Sequence, residues 1–163
     1  MLLLLIRHAD AGDRDPAKWP DDTKRPLTGK GRRQQERMDR RLRRRGYQPD
    51  RILVSPWTRA WQTAEIVARE FGNAAPKLTA CEPLAMMPRV ERIAQAIGPA
   101  APNEIIALVG HEPWLGELAS RLLTSSPSRL DIDFPKSGII GIRLTEVKVG
   151  AGELQFMWRP KGS

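Results

Sequence analysis

LLLLIRHADAG, Leu2 to Gly12, runs through five apolar residues and then turns polar. Four leucines and an isoleucine with no polar residue among them read as a strand covered on both faces, the pattern of a parallel sheet lying between layers of helices. A strand of that kind usually ends in small polar turn residues. This one ends in Arg7 and His8, and a guanidinium beside an imidazole at the end of a buried strand needs a chemical reason.

The rest of the chain continues the strand-then-helix rhythm. Leu2 to Ile6 is the first strand, and Asp10 to Arg25 is a polar loop broken by Pro16 and Pro20. Thr28 begins a helix that Gly46 ends. Arg51 to Val54 is a second strand; Ser55 and Pro56 then supply an N-cap and a proline at the first helical position for a helix to about Phe71. A proline and alanine loop follows at Asn73 to Pro76, and a weaker helix covers Arg89 to Ile97 until Pro99 to Pro102 breaks it. Glu104 to Val109 is a third strand, Gly110 to Pro113 a turn, and Trp114 to Leu123 a helix. Past Ser125 to Ser128, Ile139 to Val147 and Glu153 to Trp158 alternate around Gly150 and Gly152, which reads as an antiparallel hairpin. Nothing repeats and no linker divides the chain. The expected fold is a three-layer α/β/α sandwich with a mainly parallel central sheet and a C-terminal antiparallel hairpin, one domain over residues 1–163.

At 163 residues the chain can hold a core without staples, and its one cysteine, Cys81, excludes an internal disulfide and suits a reducing compartment. The N-terminal apolar run lacks a basic leader and meets Arg7, so it reads neither as a signal sequence nor as a membrane span; a cytoplasmic protein is expected. The formal charge of +8 is concentrated in GRRQQERMDRRLRRRG, Gly31 to Gly46, where eight arginines fall between Arg32 and Arg45. As a helix this segment has a narrow apolar face at Met38 and Leu42, and the arginines form a solvated face. A nucleic-acid site is the less favoured reading, because no zinc-finger, heptad or RNA-binding motif accompanies it.

In such sheets ligands sit beyond the carboxyl ends of the strands. There the sequence places Arg7 and His8 after the first strand, Ser55-Pro56-Trp57-Thr58-Arg59 after the second, and Gly110-His111-Glu112 after the third. Both histidines of the chain lie on that one edge. Arg59, in the first turn of a helix, opposes the helix dipole unless an anion is near. Two guanidinium forks with a helix terminus suit a phosphoryl group. Asp10, Asp13 and Glu112 lie near the histidines, yet no pair has metal-ligand spacing, so neither a metal nor another cofactor is called for.

These stretches resemble the histidine phosphatase superfamily, of phosphoglycerate mutase-like fold. LIRHADA resembles its Arg-His signature, PLTGKGRRQ at Pro26 to Gln34 its Leu-Thr-x-x-Gly helix start, SPWTRAWQTAEI its Ser-x-x-x-Arg-x-x-Gln-Thr-Ala segment, and VGHEPWL its second Gly-His turn. Ala9, the short length and the lack of large insertions are similar to the SixA-type phosphohistidine phosphatases. The resemblance implies His8 as nucleophile, Arg7 and Arg59 as phosphate ligands, and His111 as a further donor, which if protonated adds charge toward the phosphoryl oxygens. An adjacent helix N-terminus is expected to keep His8 neutral. Many members carry a glutamate acid on an inserted segment; here Glu82 is the nearest counterpart, Glu91 the next, and Asp10 the other candidate. The implied substrate is a phosphohistidine in a protein partner, with a small phosphorylated molecule, a mutase-like reaction or a phosphate-capturing module as alternatives. A membrane partner is not expected. Trp57 and Trp61, one turn apart, could offer a stacking platform but suit core packing better.

Overall fold

A computed structural model describes residues 1–87 and 89–161. The leucine run becomes β1 (Leu2–Arg7), an inner strand of a six-stranded sheet. With β2 (Arg51–Val54), β3 (Lys77–Ala80), β4 (Ile105–Gly110), β5 (Ile139–Arg143) and β6 (Glu153–Trp158), the order is β3-β2-β4-β1-β5-β6. The first four of these run parallel; β5 is antiparallel to β1, and β6 is antiparallel to β5.

β1 is apolar throughout because both of its faces are covered. Leu2, Leu4 and Ile6 point toward α1 (Gly29–Arg44) and α2 (Thr58–Glu70), packing with Met38, Leu42, Ala64 and Val67. Leu3 and Leu5 point the other way, toward α3 (Val90–Ile97) and α4 (Trp114–Thr124), among Ile93, Ile97, Leu118 and Leu122. Each buried leucine stabilises the fold by about 1.5–3 kcal/mol. The result is the expected α/β/α sandwich, mainly parallel and closed by a C-terminal hairpin.

Three local expectations change. β3 falls directly after the proline and alanine loop, where no strand was expected. It is a four-residue edge strand, largely exposed, so KLTA carries little of the apolar signal of its neighbours. The strand expected over 104–109 is therefore the fourth. α2 begins at Thr58 with no side-chain cap, and the Ser55 hydroxyl is committed to His111 instead. β5 stops at Arg143 although the alternation runs on to Val147; the next amide, Leu144 N–H, donates to Met1 O at 3.0 Å.

The start of α1 is pressed onto the segment after β1. Thr28 Oγ1 accepts from Gly31 N–H at 2.9 Å and donates to the Asp10 carboxylate at 2.8 Å. A Cβ on Gly31 would stand 2.2 Å from Asp10 O, whereas one on Gly29 would meet nothing nearer than the Arg33 guanidinium at 3.4 Å. Gly31→Ala is therefore expected to lower unfolding free energy by about 1–3 kcal/mol, as overpacking against backbone does. Gly29→Ala should change it by less than about 0.5 kcal/mol or stabilise slightly, since alanine is the better helix former. Urea titration of the two variants checks this, and equal effects would contradict the contact.

Candidate active site

The carboxyl ends of β1, β2 and β4 converge through backbone bonds that continue the sheet. His8 N–H donates to Gly110 O at 3.0 Å and Ser55 N–H to Val109 O at 3.0 Å. His8 and His111 are thereby adjacent, with ring centroids 5.0 Å apart. Alternation along β1 sends Arg7 to the α4 side and His8 to the α2 side, where Arg59 Nε donates to His8 Nε2 at 3.3 Å. Arg7, His8, Arg59 and His111 thus share one cluster. His8, Arg59 and His111 are buried; Arg7 is partly so.

The tautomer of His8 follows from its partners. Nδ1 lies 2.7 Å from Ala9 O, which can only accept, so Nδ1 carries the proton and Nε2 keeps its lone pair. Burial first, then Arg59, Arg7 and Lys136, push its pKa down to about 3, against the opposing pull of the Ala9 carbonyl. The ring is neutral at physiological pH through burial and neighbouring cations rather than through a helix terminus. His111 is pushed lower still, to about 2, by burial and then by His8, Arg59 and Arg7. This corrects the protonated ring considered for it. The Ser55 hydroxyl meets His111 Nε2 at 2.8 Å, and Nδ1 is buried with no hydrogen-bond partner among the described residues.

The cations are held by groups that no motif announces. Asp22, in the loop between β1 and α1, takes Arg59 Nη1 on its carbonyl at 2.8 Å and Nη2 on its carboxylate at 3.2 Å. It supplies an anion for the guanidinium that opposes the α2 dipole. Trp57 lies between Arg59, 4.5 Å from its ring centre, and the His111 ring, 4.5 Å away, so it is not a free stacking platform. Thr63 Oγ1 accepts from Ala9 N–H at 3.0 Å and donates to Arg59 O at 2.7 Å; Gln62 Oε1 accepts from Leu27 N–H at 2.9 Å. The Gln-Thr pair of the motif therefore ties α2 to both sides of the loop after β1.

A segment the sequence reading left blank, Phe134 to Gly138, closes the site from the hairpin side. Phe134 is buried and its carbonyl accepts from Arg7 Nη1 at 2.7 Å. Ser137, at φ 61, donates its N–H to Arg7 O at 3.2 Å and His8 O at 3.3 Å. A non-glycine residue held in that left-handed region is under strain of the sort found at functional sites. Arg7 Nε is buried with no partner among the described residues, a donor suited to a phosphoryl oxygen.

The carboxyls sort differently from expectation. Asp10 pairs with Lys136 and accepts from Thr28, contacts that hold its pKa low in spite of burial; it is a carboxylate at neutral pH and a poor proton donor. Glu82 is exposed, opening a 3-10 turn over Glu82–Ala85 past the end of β3, and Glu91 is exposed in the first turn of α3. Glu112, next to His111, is pushed up to about 7 by burial, against its bond from Gly116 N–H at 2.8 Å and the nearby Arg7. Its place in Gly-His-Glu was the only available sequence signal. Among the described residues, no three His, Cys, Asp or Glu side chains gather as a metal site, and no helix is long and apolar enough to cross a membrane.

A neutral imidazole with an available Nε2, set between two guanidinium groups at the carboxyl edge of an α/β sheet, defines a protein that handles phosphoryl groups through histidine. A profile of the histidine phosphatase superfamily (branch 1) matches residues 3–82. An uncharacterised protein of Picosynechococcus sp. is 35% identical over 99% of this chain and 98% of its own. Phosphohistidine phosphatase SixA of Escherichia coli is 29% identical, covering 98% of this chain and 92% of that protein. The solved structure of the protein histidine phosphatase SixA complexed with tungstate superposes with a TM-score of 0.79 at 25% identity, over 98% of this chain and 97% of that one. The chain belongs to the histidine phosphatase superfamily, and its similarity is to SixA-like phosphatases.

The titrations have a readable consequence for stability. The folded values of His8 and His111, about 3 and about 2, lie below the unfolded value of about 6.5, so the unfolded chain takes up protons first and stability falls as pH drops below 6.5. Glu112, raised to about 7 from 4.5, acts oppositely: its contribution is present at low pH and lost as pH rises toward 7. Urea unfolding between about pH 5 and 7 should show a decline on acidification that His8→Asn flattens and Glu112→Gln steepens. A His8→Asn curve parallel to the wild type would contradict a buried neutral ring.

Proposed function

We propose that the protein is a metal-independent phosphohydrolase that removes the phosphoryl group from phosphohistidine in a signalling or phosphotransfer protein. The whole chain, residues 1–163, acts as one catalytic domain in the cytoplasm. The observation that carries this reading is the His8 ring, with Nδ1–H fixed on Ala9 O and the Nε2 lone pair turned to the Arg59 guanidinium, where a bound phosphoryl group would displace that 3.3 Å contact. Nε2 forms a bond to phosphorus as the bond to the substrate's ring nitrogen breaks, and that departing imidazole takes a proton. Arg7, Arg59 and His111 hold the phosphoryl oxygens during the transfer. Water then attacks phosphorus, orthophosphate leaves, and the His8 lone pair is restored. Positioning and fixed donors account for such a transfer without a metal. The substrate class is supported by the similarity to SixA over nearly all of both chains.

One observation favours a small phosphomonoester instead. An alkoxide leaving group needs a proton donor, and Glu112 is a carboxyl that retains its proton near neutral pH beside His111. General acid help is commonly worth about two to four powers of ten.

Brief mixing with labelled phosphohistidine protein and a quench that avoids acid should leave label on the wild type; His8→Ala should lose both label and turnover. Full activity in that variant would overturn the mechanism. Chelators should leave the rate unchanged while vanadate inhibits, and activity lost to chelation and restored by a divalent ion would refute metal independence. A panel of phosphohistidine protein, aryl phosphate and alkyl phosphate separates the two substrate classes. Efficient alkyl phosphate turnover that Glu112→Gln abolishes would select the phosphomonoesterase.

A further inference from the structure

The outer face of α1 and the residues that follow β6 enclose a groove of about 640 Å³. Its charged lining is entirely cationic: Arg37, Arg40, Arg44 and Arg45 on one wall, Arg159 and Lys161 on the other, with Arg41 between them. Among the described residues, Arg37, Arg40, Arg44, Arg45 and Lys161 form no ion pair, although neighbours off the groove do: Arg43 holds Glu70 at 2.7 Å. Arg159 reaches Asp133 at 2.7 Å. The helix dipole accounts for cations in the last turn of α1. It does not account for Arg37, a turn and a half earlier, or for the opposing wall. Arginines three and four positions apart on one helix repel each other, a cost that an anion lying along them relieves.

The groove also adjoins the site. Ile139 pairs with both Ile6 and Trp158, so Arg159 leaves the sheet on the edge where Arg7 and His8 stand, two strands and roughly 10 Å away. At its other margin Gln34 lies one turn beyond Gly31, which touches the backbone of Asp10. From Gln34 to Arg45 the helix extends about 16 Å.

The form of the groove selects its occupant. A single-stranded nucleic acid would need exposed rings to stack upon, and among the described residues that line the groove none is aromatic; Trp158 is buried under Arg41, whose guanidinium lies 4.2 Å from the ring centre. A compact polyphosphate would need cations that converge on one point, and those of α1 are strung along about two turns, from Arg37 to Arg45. A row of carboxylates on a protein segment fits both the spacing and the charge. We infer that this groove is the docking surface for an acidic segment of the phosphorylated protein substrate, which rests on the proposed protein substrate and adds how it is recognised.

The test uses the full chain and the variant Arg40→Gln/Arg44→Gln/Arg45→Gln/Lys161→Gln, whose positions are exposed and outside the catalytic cluster. Fluorescence anisotropy with a labelled oligoglutamate peptide free of phosphate should show binding that weakens with salt and is unaffected by saturating vanadate. The variant should bind about tenfold more weakly or worse, and its Michaelis constant for a phosphohistidine protein at low salt should rise similarly, with aryl phosphate hydrolysis unchanged. Peptide affinity within about twofold of wild type in the variant would overturn the inference, as would displacement of the peptide by mixed-sequence RNA or tripolyphosphate at lower concentration. An equal loss on aryl phosphate would assign the charges to the catalytic pocket and also overturn it. Failure to hydrolyse any phosphohistidine protein, with peptide binding and its loss in the variant as expected, would refute the proposed substrate and leave an acidic-segment site standing.

Discussion

The hydrogen bond from His8 Nδ1–H to the carbonyl of Ala9 is the constraint around which the molecule is organised. It turns an imidazole with two equivalent options into one with a single reactive nitrogen, and it works only if the Ala9 peptide cannot rotate. Thr63 fixes the peptide just before it by accepting from Ala9 N–H, and Thr63 is itself anchored on Arg59 O within α2. Gly31 lets α1 lie against Asp10 N, the other end of the peptide that carries the Ala9 carbonyl, and against Asp10 O beyond it. The interior packing of two helices is therefore converted into the orientation of one ring.

The second constraint is charge. Burying two guanidinium groups beside two histidines is unfavourable unless the rings stay neutral and the cations have oxygens to bond. Both conditions hold: burial and the cations themselves push the histidines far below their ordinary range, while Phe134 O serves Arg7 and Asp22 serves Arg59. Two buried nitrogens with no partner among the described residues, Arg7 Nε and His111 Nδ1, belong to this same cluster. A dianion entering it meets positive charge already desolvated and already oriented, the condition under which electrostatic stabilisation is strongest.

How much of this was legible follows from where the signals reside. β1, β2, β4 and the helices are legible because apolar runs and glycine or proline boundaries mark them, and Arg7, His8, Arg59 and His111 because charged residues at the ends of apolar strands are anomalous. β3 is not, since an exposed edge strand of four residues buries little and so needs little apolar sequence. The Phe134–Gly138 segment acts through carbonyls and backbone amides, which every residue possesses, and Asp22 is one of several acidic residues in a polar loop, so composition cannot single either out. Ser55 misled for a different reason: a serine before a proline suits a helix cap, and only the fold brings His111 within 2.8 Å of its hydroxyl. The protonation state of His111 was likewise a tertiary property, set by neighbours from three separate elements.

The register of β1 bears on how the chain is made. β1 is an inner strand, and its partners are Ile105 to Gly110 on one side and Ile139 to Arg143 on the other, about a hundred residues or more downstream. Until those arrive, Leu2 to Ile6 has no strand to pair with, and the arginine helix that should cover one of its faces has no sheet to cover. Closing loops of that length before any contact rewards them makes folding slow and delays it until β4 and β5 have been made. A nascent chain halted before β5 would present an adhesive apolar strand together with an uncompensated basic helix, a combination that holdase chaperones and the ribosome's own anionic surface are suited to retain.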